Sequence, residues 1–266
     1  MKVSVLIASF GVRDLLARCL ASVAEAHEAI VVDNASPDES ARMVREQFPA
    51  ARLVEWNENR GFGTAINEAA RQASGDAFLV LNADAEVPAG SFAHVATALG
   101  NNAGASAVGF RQTDDRGRWQ LTIGPPPSLA LDLLRRFVQR RLDRGDEGLA
   151  RLLDRAFGRS RPVPWVAGSA LLVSRAAFER VGGFDERYFL YFEDVDFCLR
   201  LRATGGRVVY DPRVTIVHAR GASAAQNPAS ARLAYRLSQR LFWRTHRGAF
   251  VGDLVDAYTR LRGEAS

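Results

Sequence analysis

An alternation of strand and helix signals over roughly the first hundred residues constrains the fold of this chain more than any other feature. Val3 to Ala8 reads as a buried strand, Arg13 to Ala26 as a helix, Ala29 to Val32 as a strand, Pro37 to Phe48 as a helix and Ala51 to Glu55 as a strand. A helix from Gly63 to Gln72, an apolar strand from Ala77 to Leu81 and a helix after Pro88, with the proline near its first turn, continue the series. Strands linked by helices pair in parallel and are covered on both faces, so the series predicts an α/β fold with a Rossmann-like, mostly parallel central sheet. In open sheets of this kind ligands bind beyond the carboxyl ends of the strands. The polar residues that follow the strands are therefore the candidates for a site: Ser9, the run Asp33-Asn34-Ala35-Ser36, and Asn82-Ala83-Asp84.

Each candidate has a plain alternative. Ser36 or Asp38 can cap the next helix with Pro37 at its first position, which leaves Asp33 unexplained. A carboxylate there can accept the imide N–H of a uracil or thymine ring. Asp84, with Glu86 nearby, can ligate a divalent cation that also binds a diphosphate, and Mg²⁺ or Mn²⁺ suit such oxygen-rich sites, although Asn and Asp are also ordinary turn residues. Between these runs, Asn59-Arg60-Gly61-Phe62-Gly63 opens a helix and can turn backbone N–H groups and Arg60 toward an anion. It lacks the lysine and hydroxyl residue of a P-loop.

The 266 residues, 47% of them hydrophobic, can bury a substantial core, as one large α/β domain or a domain with an appendage. Val3 to Ala8 is too short for a signal-peptide core or a membrane span, which predicts a cytoplasmic protein. Cys19 and Cys198 lie in apolar helix-like contexts and read as reduced core residues. The net charge of +5 is carried by arginine, Lys2 being the single lysine. From Ser128 to Arg161 nine arginines face five acids, and from Pro228 to Ser266 seven face three. No basic run interleaved with stacking aromatics and no zinc or helix-turn-helix pattern points to nucleic acid, so a phosphate-bearing ligand or an anionic membrane surface is expected.

The densest chemistry lies between Gly182 and Arg200, where Tyr188, Phe189, Tyr191 and Phe192 precede Glu193, Asp194 and Asp196. A solvated charged face would not carry such rings, because leaving them in water forfeits their burial. The carboxylates are expected at the rim of a buried wall, where desolvation raises a pKa and suits a general base. Stabilising a helix start through its dipole is the structural alternative. Asp196 and Arg200, four apart, pair on a helix face; Phe192, Val195 and Leu199 form its apolar stripe, leaving Glu193 and Asp194 to face elsewhere. Trp165 and Gly168-Ser169 precede another apolar strand, and the Trp can stack on a sugar or fill the core.

Taken in order, Val3-Ser4-Val5-Leu6-Ile7, Val31-Val32-Asp33-Asn34-Ala35-Ser36, Asn59-Arg60-Gly61-Phe62-Gly63, Leu81-Asn82-Ala83-Asp84, Trp165-Val166-Ala167-Gly168-Ser169-Ala170 and Glu193-Asp194-Val195-Asp196 resemble the motifs of family 2 glycosyltransferases. The likeness spans residues 1–225 and is nearest to bacterial rhamnosyltransferases. It implies a GT-A fold: a nucleotide-sugar half over 1–110, a variable basic insertion over 111–161, an acceptor half over 162–225 and a helical appendage over 226–266. It further implies an inverting enzyme of cell-envelope polysaccharide synthesis. A dTDP-rhamnose or UDP-hexose donor would bind through Ser9, Asp33, Asn34, Arg60, Gly61 and Asn82. Trp165, Gly168 and Glu193 would meet a glycan or polyprenyl-diphosphate-linked acceptor, and Asp194 would be the base. Asp84 and His218 would hold Mg²⁺ or Mn²⁺, with Asn82 replacing the first acid of the family's metal motif; a lone His after an apolar strand is otherwise structural.

Past the Gly124-Pro125-Pro126-Pro127 break, Leu129, Leu133, Leu134, Phe137, Val138 and Leu142 recur at helical spacing among arginines. Leu233, Leu237, Leu241 and Phe242 do the same near the C-terminus. Such helices either pack against the domain or lie on the inner face of a membrane beside a lipid-diphosphate acceptor. Two other classes compete. A nucleotidyltransferase would show a basic glycine-rich loop after its first strand, where this chain has Ser9-Phe10-Gly11-Val12-Arg13; a non-catalytic nucleotide-sugar-binding scaffold would follow if Asn82 abolished metal binding.

Overall fold

The computed structural model describes residues 1–125, 128–221 and 228–261. Pro126, Pro127, the stretch 222–227 with the expected boundary at 225/226, and 262–266 lie outside the described residues. The opening alternation folds as β1 (Val3–Ser9), α1 (Arg13–Ser22), β2 (Glu28–Asp33), α2 (Ser40–Gln47), β3 (Arg52–Glu55), α3 (Phe62–Gln72) and β4 (Ala77–Leu81). These strands pair in parallel in the order β3-β2-β1-β4, and nearly every residue of β1 and β4 is buried.

Two helix starts differ from the sequence expectation. α2 begins at Ser40, not Pro37, because the Asp38 carboxylate accepts from the Ser40 amide (3.3 Å) and the Arg13 amide (2.8 Å) and holds residues 37–39 in a turn. The next helix, α4 (Phe92–Asn101), starts after a turn in which the Ser91 N–H donates to the Pro88 carbonyl (2.9 Å).

The second half completes the sheet. β5 (Ala85–Glu86), β6 (Ala107–Thr113), β7 (Trp119–Gln120), β8 (Ile123–Gly124), β9 (Arg161–Pro162), β10 (Trp165–Val166), β11 (Ala170–Ser174) and β12 (Val208–His218) extend the order to β3-β2-β1-β4-β11-β6-β12-β5. β7 joins β6 and β9 joins β12, while β8 and β10 form a separate two-stranded sheet. β11 runs antiparallel between β4 and β6, pairing Ala170 with Leu81. The start of β11 therefore meets the carboxyl end of β4, and the Asn82 amide donates to the Ser169 carbonyl (3.0 Å). At the far edge β5 pairs antiparallel with β12, placing Ala85 opposite His218.

Helices cover both faces. α1, α2 and α4 bury one apolar cluster. α3, α7 (Arg175–Arg180) and α8 (Glu193–Ala203) bury the other, which also takes side chains from α5 (Leu129–Asp143) and α6 (Glu147–Ala156). The last helices, α9 (Pro228–Arg247) and α10 (Ala249–Leu261), dock on α8: Phe242, Trp243 and Val255 pack with Tyr188, Phe192, Val195 and Leu199. Beside this cluster the buried Asp196 carboxylate pairs with Arg200 (2.7 Å) and His246 (2.9 Å). Cys19 and Cys198 are free and buried. No helix among the described residues is long and apolar enough to cross a membrane.

Candidate active site

Two cavities meet at the carboxyl edge of the sheet. One, of about 500 Å³, is lined by Ser9 from the end of β1, Asn34, Gly61, Asp84 and Phe189. The other, of about 550 Å³, is lined by Trp165, Gly168, Glu193 and Asp194, with Arg135 and Arg140 from α5. Phe62, Asn82, Tyr191, His218 and Arg220 line both.

The first cavity gathers Ser9, Asn34, Gly61, Asn82, Asp84 and His218. Asp33 lines neither cavity: it lies buried at the end of β2 beside Ser9, with Oδ2 accepting from the Ser36 amide (3.0 Å), and burial raises its pKa; Oδ1 and the Ser9 hydroxyl have no partner. Unpaired buried polar atoms of this kind are costly unless a ligand meets them. The Asn34 amide is spent on the chain itself, donating to the Gly61 carbonyl (3.1 Å) and accepting from the Arg60 amide (3.0 Å). That clamp fixes the Asn59–Gly61 loop. Arg60 does not line either cavity: its guanidinium stacks over Trp56 at 5.0 Å and pairs with Glu58 (3.1 Å). Glu86 points away too, paired with Arg18 (2.8 Å).

Asp84 and His218 converge because β5 pairs with β12. His218 Nε2 lies 3.2 Å from Asp84 Oδ1 and 3.2 Å from the Asn82 amide nitrogen. On its other side, Gln120 of β7 spans the imidazole: its Nε2 donates 2.6 Å to the His218 carbonyl and its Oε1 accepts from Nδ1 at 3.0 Å. A carboxylate oxygen and an imidazole nitrogen, both buried and aimed at one point with the second ring nitrogen bonded behind, are the donor set of a divalent cation that draws further oxygens from a substrate diphosphate. These residues fit such an ion, Asp84 and His218 as ligands and Asn82 beside them. No cluster of three or more ionisable ligands occurs among the described residues, so the remaining oxygens would come from substrate or water.

In the second cavity Asp194 sits in the first turn of α8. Its Oδ2 accepts from the Gly168 amide (2.9 Å) and its Oδ1 from the Val195 amide (2.8 Å). Gly168 packs closely here: an added Cβ would stand 3.2 Å from that of Asp194, a tight contact, and 3.5 Å from the Phe62 ring, an ordinary one. Burial raises the pKa of both neighbouring carboxyls, Glu193 well above the ordinary range and further through the Asp194 charge. Asp194 has two backbone donors and the nearby Arg135 charge, whereas Glu193 Oε2 has no partner, so the proton of the pair belongs on Glu193. Trp165 forms a wall, 7% exposed, with its indole N–H donating to the Pro125 carbonyl (3.0 Å), its ring against Gly124, and Arg135 5.4 Å above it.

The segment joining the cavities is strained. Tyr191 and Phe192 take φ of 70° and 69°, a conformation that side chains with a Cβ rarely adopt and that collects at functional sites. It is held by the Phe62 amide on the Phe189 carbonyl (2.9 Å) and by the Tyr235 ring of α9 against both aromatics (5.5 and 5.3 Å). Sequence reasoning missed Gln120, Phe62, Arg135, Tyr191, Arg220 and Tyr235 as site residues. The aromatic run flagged Tyr191, but nothing local marks a glutamine in a short strand.

The family model described as Glycosyl transferase family 2 matches residues 4–163, and one described as N-terminal domain of galactosyltransferase matches 153–219. An N-acetylglucosaminyl-diphospho-decaprenol L-rhamnosyltransferase of Mycobacterium tuberculosis is 34% identical over 242 residues, covering 85% of this chain and 79% of that protein. Among solved structures, the mannosyltransferase PcManGT from Pyrobaculum calidifontis in complex with GDP-Man and Mn²⁺ superposes with a TM-score of 0.56 at 21% identity, over 98% of this chain and 80% of that one. S. aureus TarS 1-349 in complex with UDP-GlcNAc gives 0.58 at 16%, over 97% and 71%. At these identities the two structures establish a shared GT-A fold.

Proposed function

The chain belongs to glycosyltransferase family 2, and from that premise we propose that it moves L-rhamnose from dTDP-rhamnose, with inversion, to a hydroxyl of a polyprenyl-diphosphate-linked saccharide in envelope polysaccharide synthesis. The observation that carries the reading is the meeting of the two cavities, with Asp84 and His218 on one side and Asp194 on the other. Residues 1–110 serve the donor and 162–225 the acceptor. The unpartnered Asp33 Oδ1 receives the base imide N–H, and the adjoining Ser9 hydroxyl completes that end. Asp84 and His218 would hold a divalent cation, Mg²⁺ or Mn²⁺, which would supply charge neutralisation for the departing diphosphate. Arg220, at the shared wall and paired with Asp143 (3.1 Å), adds a positive charge there when it turns from that partner to the diphosphate. Asp194 takes the proton of the acceptor hydroxyl as its oxygen attacks the anomeric carbon. Glu193, protonated, offers a hydrogen bond to the sugars.

Uracil and thymine present the same imide to Asp33, so a UDP-hexose is the rival donor. Thermal-shift titration with dTDP-, UDP- and GDP-sugars, with and without Mn²⁺ or Mg²⁺, separates them, since a ligand at 100 times its Kd stabilises the native state by about 2.7 kcal/mol. Metal-dependent stabilisation by dTDP-rhamnose above the others is expected. Stabilisation by a UDP-sugar alone transfers the proposal to that donor, and none by any nucleotide refutes it.

α5 suits a lipid-linked acceptor. Arg135, Arg136 and Arg140 face the second cavity, whereas Leu134 and Phe137, 55% and 58% exposed, flank Arg141 and Arg144 on the opposite side of the helix. An apolar pair among arginines matches an anionic bilayer on the inner face of the cell membrane. Flotation with anionic vesicles at low salt is expected to carry the protein, and Leu134→Ser/Phe137→Ser is expected to abolish it. Equal flotation of the variant, or none of the parent protein, removes this face from the proposal.

A further inference from the structure

The imidazole of His218 is useful to a cation only if Nε2 offers its lone pair, and the structure contains the group that decides this. Gln120 lies on β7, within the 111–161 stretch expected to be a variable insertion, and is 98 residues from His218 in sequence. Both side chains are buried. The orientation of the Gln120 amide is unambiguous, because the backbone carbonyl of His218 can only accept. The amide nitrogen must therefore face that carbonyl, at 2.6 Å, which turns Oε1 toward Nδ1, at 3.0 Å. An oxygen in that place requires a hydrogen on Nδ1.

On the opposite side of the ring the Asn82 amide nitrogen stands 3.2 Å from Nε2, within reach of its lone pair, and Asp84 Oδ1 also lies 3.2 Å away, so an unprotonated Nε2 and this oxygen oppose lone pairs unless a cation stands between them. Without Gln120 the ring could place its proton on Nε2, directed at Asp84. Resting on the reading of His218 as a cation ligand, we propose that Gln120 is a positioning residue that fixes the Nδ1–H tautomer and so leaves Nε2 as the donor atom at the junction of the cavities.

The test reads the tautomer directly. Long-range ¹H–¹⁵N correlation spectra of the full chain with ¹⁵N-labelled histidine, free of metal, resolve its four imidazoles, with His218→Ala assigning the resonance. Wild type is expected to show Nδ1–H for His218. Gln120→Ala is expected to gain the Nε2–H form and to bind Mn²⁺, with dTDP present and followed by water-proton relaxation, about 10–100-fold more weakly. Gln120→Glu keeps an acceptor oxygen toward Nδ1 but sets its second oxygen against the His218 carbonyl, so it breaks the tie between β7 and β12 while it should retain the Nδ1–H. If Gln120 merely tied β7 to β12, both variants would behave alike. An Nε2–H tautomer in wild type, or an unchanged one in folded Gln120→Ala, overturns the proposal. If the tautomer responds as expected but His218→Ala leaves Mn²⁺ binding intact, the positioning stands as ring chemistry while the reading of His218 as a ligand fails.

Discussion

Asp194→Asn is expected to lower kcat by about 10²–10⁴-fold while leaving donor-nucleotide stabilisation intact. The substitution keeps the shape of the side chain and removes its basicity. Both carboxylate oxygens are oriented by backbone N–H groups, from Gly168 at 2.9 Å and Val195 at 2.8 Å, so the group is placed by rigid elements rather than by another side chain. The pH dependence follows from the same surroundings. A base works unprotonated, and burial raises the Asp194 pKa. kcat should therefore fall as the pH drops through a value raised from the ordinary aspartate pKa, and that limb should vanish in the variant. Glu193 is held protonated by burial and by the Asp194 charge, so Glu193→Gln should preserve the limb. Initial rates across pH on both variants decide the assignment: full turnover in Asp194→Asn, or loss of the limb in Glu193→Gln instead, would move the base to another group.

Gly61→Ala is expected to destabilise the fold by about 2–6 kcal/mol, the sum of about 1–3 for a backbone conformation (φ 91°, ψ 169°) that is essentially confined to glycine and about 1–3 for overpacking. Gly61 has φ +91°, and a Cβ there would stand 2.4 Å from the Phe189 carbonyl oxygen, a backbone atom that cannot swing aside. That oxygen already receives the Phe62 amide at 2.9 Å. Any shift passes into Tyr191 and Phe192, whose strained backbone lies between the cavities, so donor binding should weaken together with stability. Gly90→Ala provides the control. It shares a positive φ, +73°, but has nothing within 4 Å, so only the backbone cost of about 1–2 kcal/mol applies. Urea denaturation of both variants measures the difference, and equal losses would show that Gly61 is required for its dihedral alone.

Several site residues were legible because their chemistry is tied to strand ends. Ser9, Asp33, Asn82 and Asp84 follow apolar strands whose direction the alternation had already set, and the structure places all four at one edge. The rings before Asp194 drew attention to it, but only Tyr188 among them is fully buried; Tyr191 and Phe192 are half-buried against α9 and Phe189 is 40% exposed. Asn34 and Arg60 were equally conspicuous, yet the amide of the first clamps a loop and the guanidinium of the second stacks on Trp56. Residue type and position do not say which hydrogen bonds a polar side chain will spend on its own backbone.

The sequence by itself determined the α/β class, the run of β1 to β4 and the side of the sheet where chemistry gathers. Those properties follow from local periodicity and from the burial that a parallel strand demands. Only the tertiary structure decided that β11 enters antiparallel between β4 and β6, bringing Gly168 and Ser169 to the end of β4. It alone decided that β5 pairs with β12, which brings His218 to Asp84 and to Asn82, 136 residues away in sequence. It alone placed Gln120 behind that imidazole and the C-terminal helices α9 and α10 on α8. Pairings between distant segments are selected by the total burial and hydrogen bonding of the assembled sheet, and a quantity that belongs to the whole assembly leaves no mark in any short window of sequence.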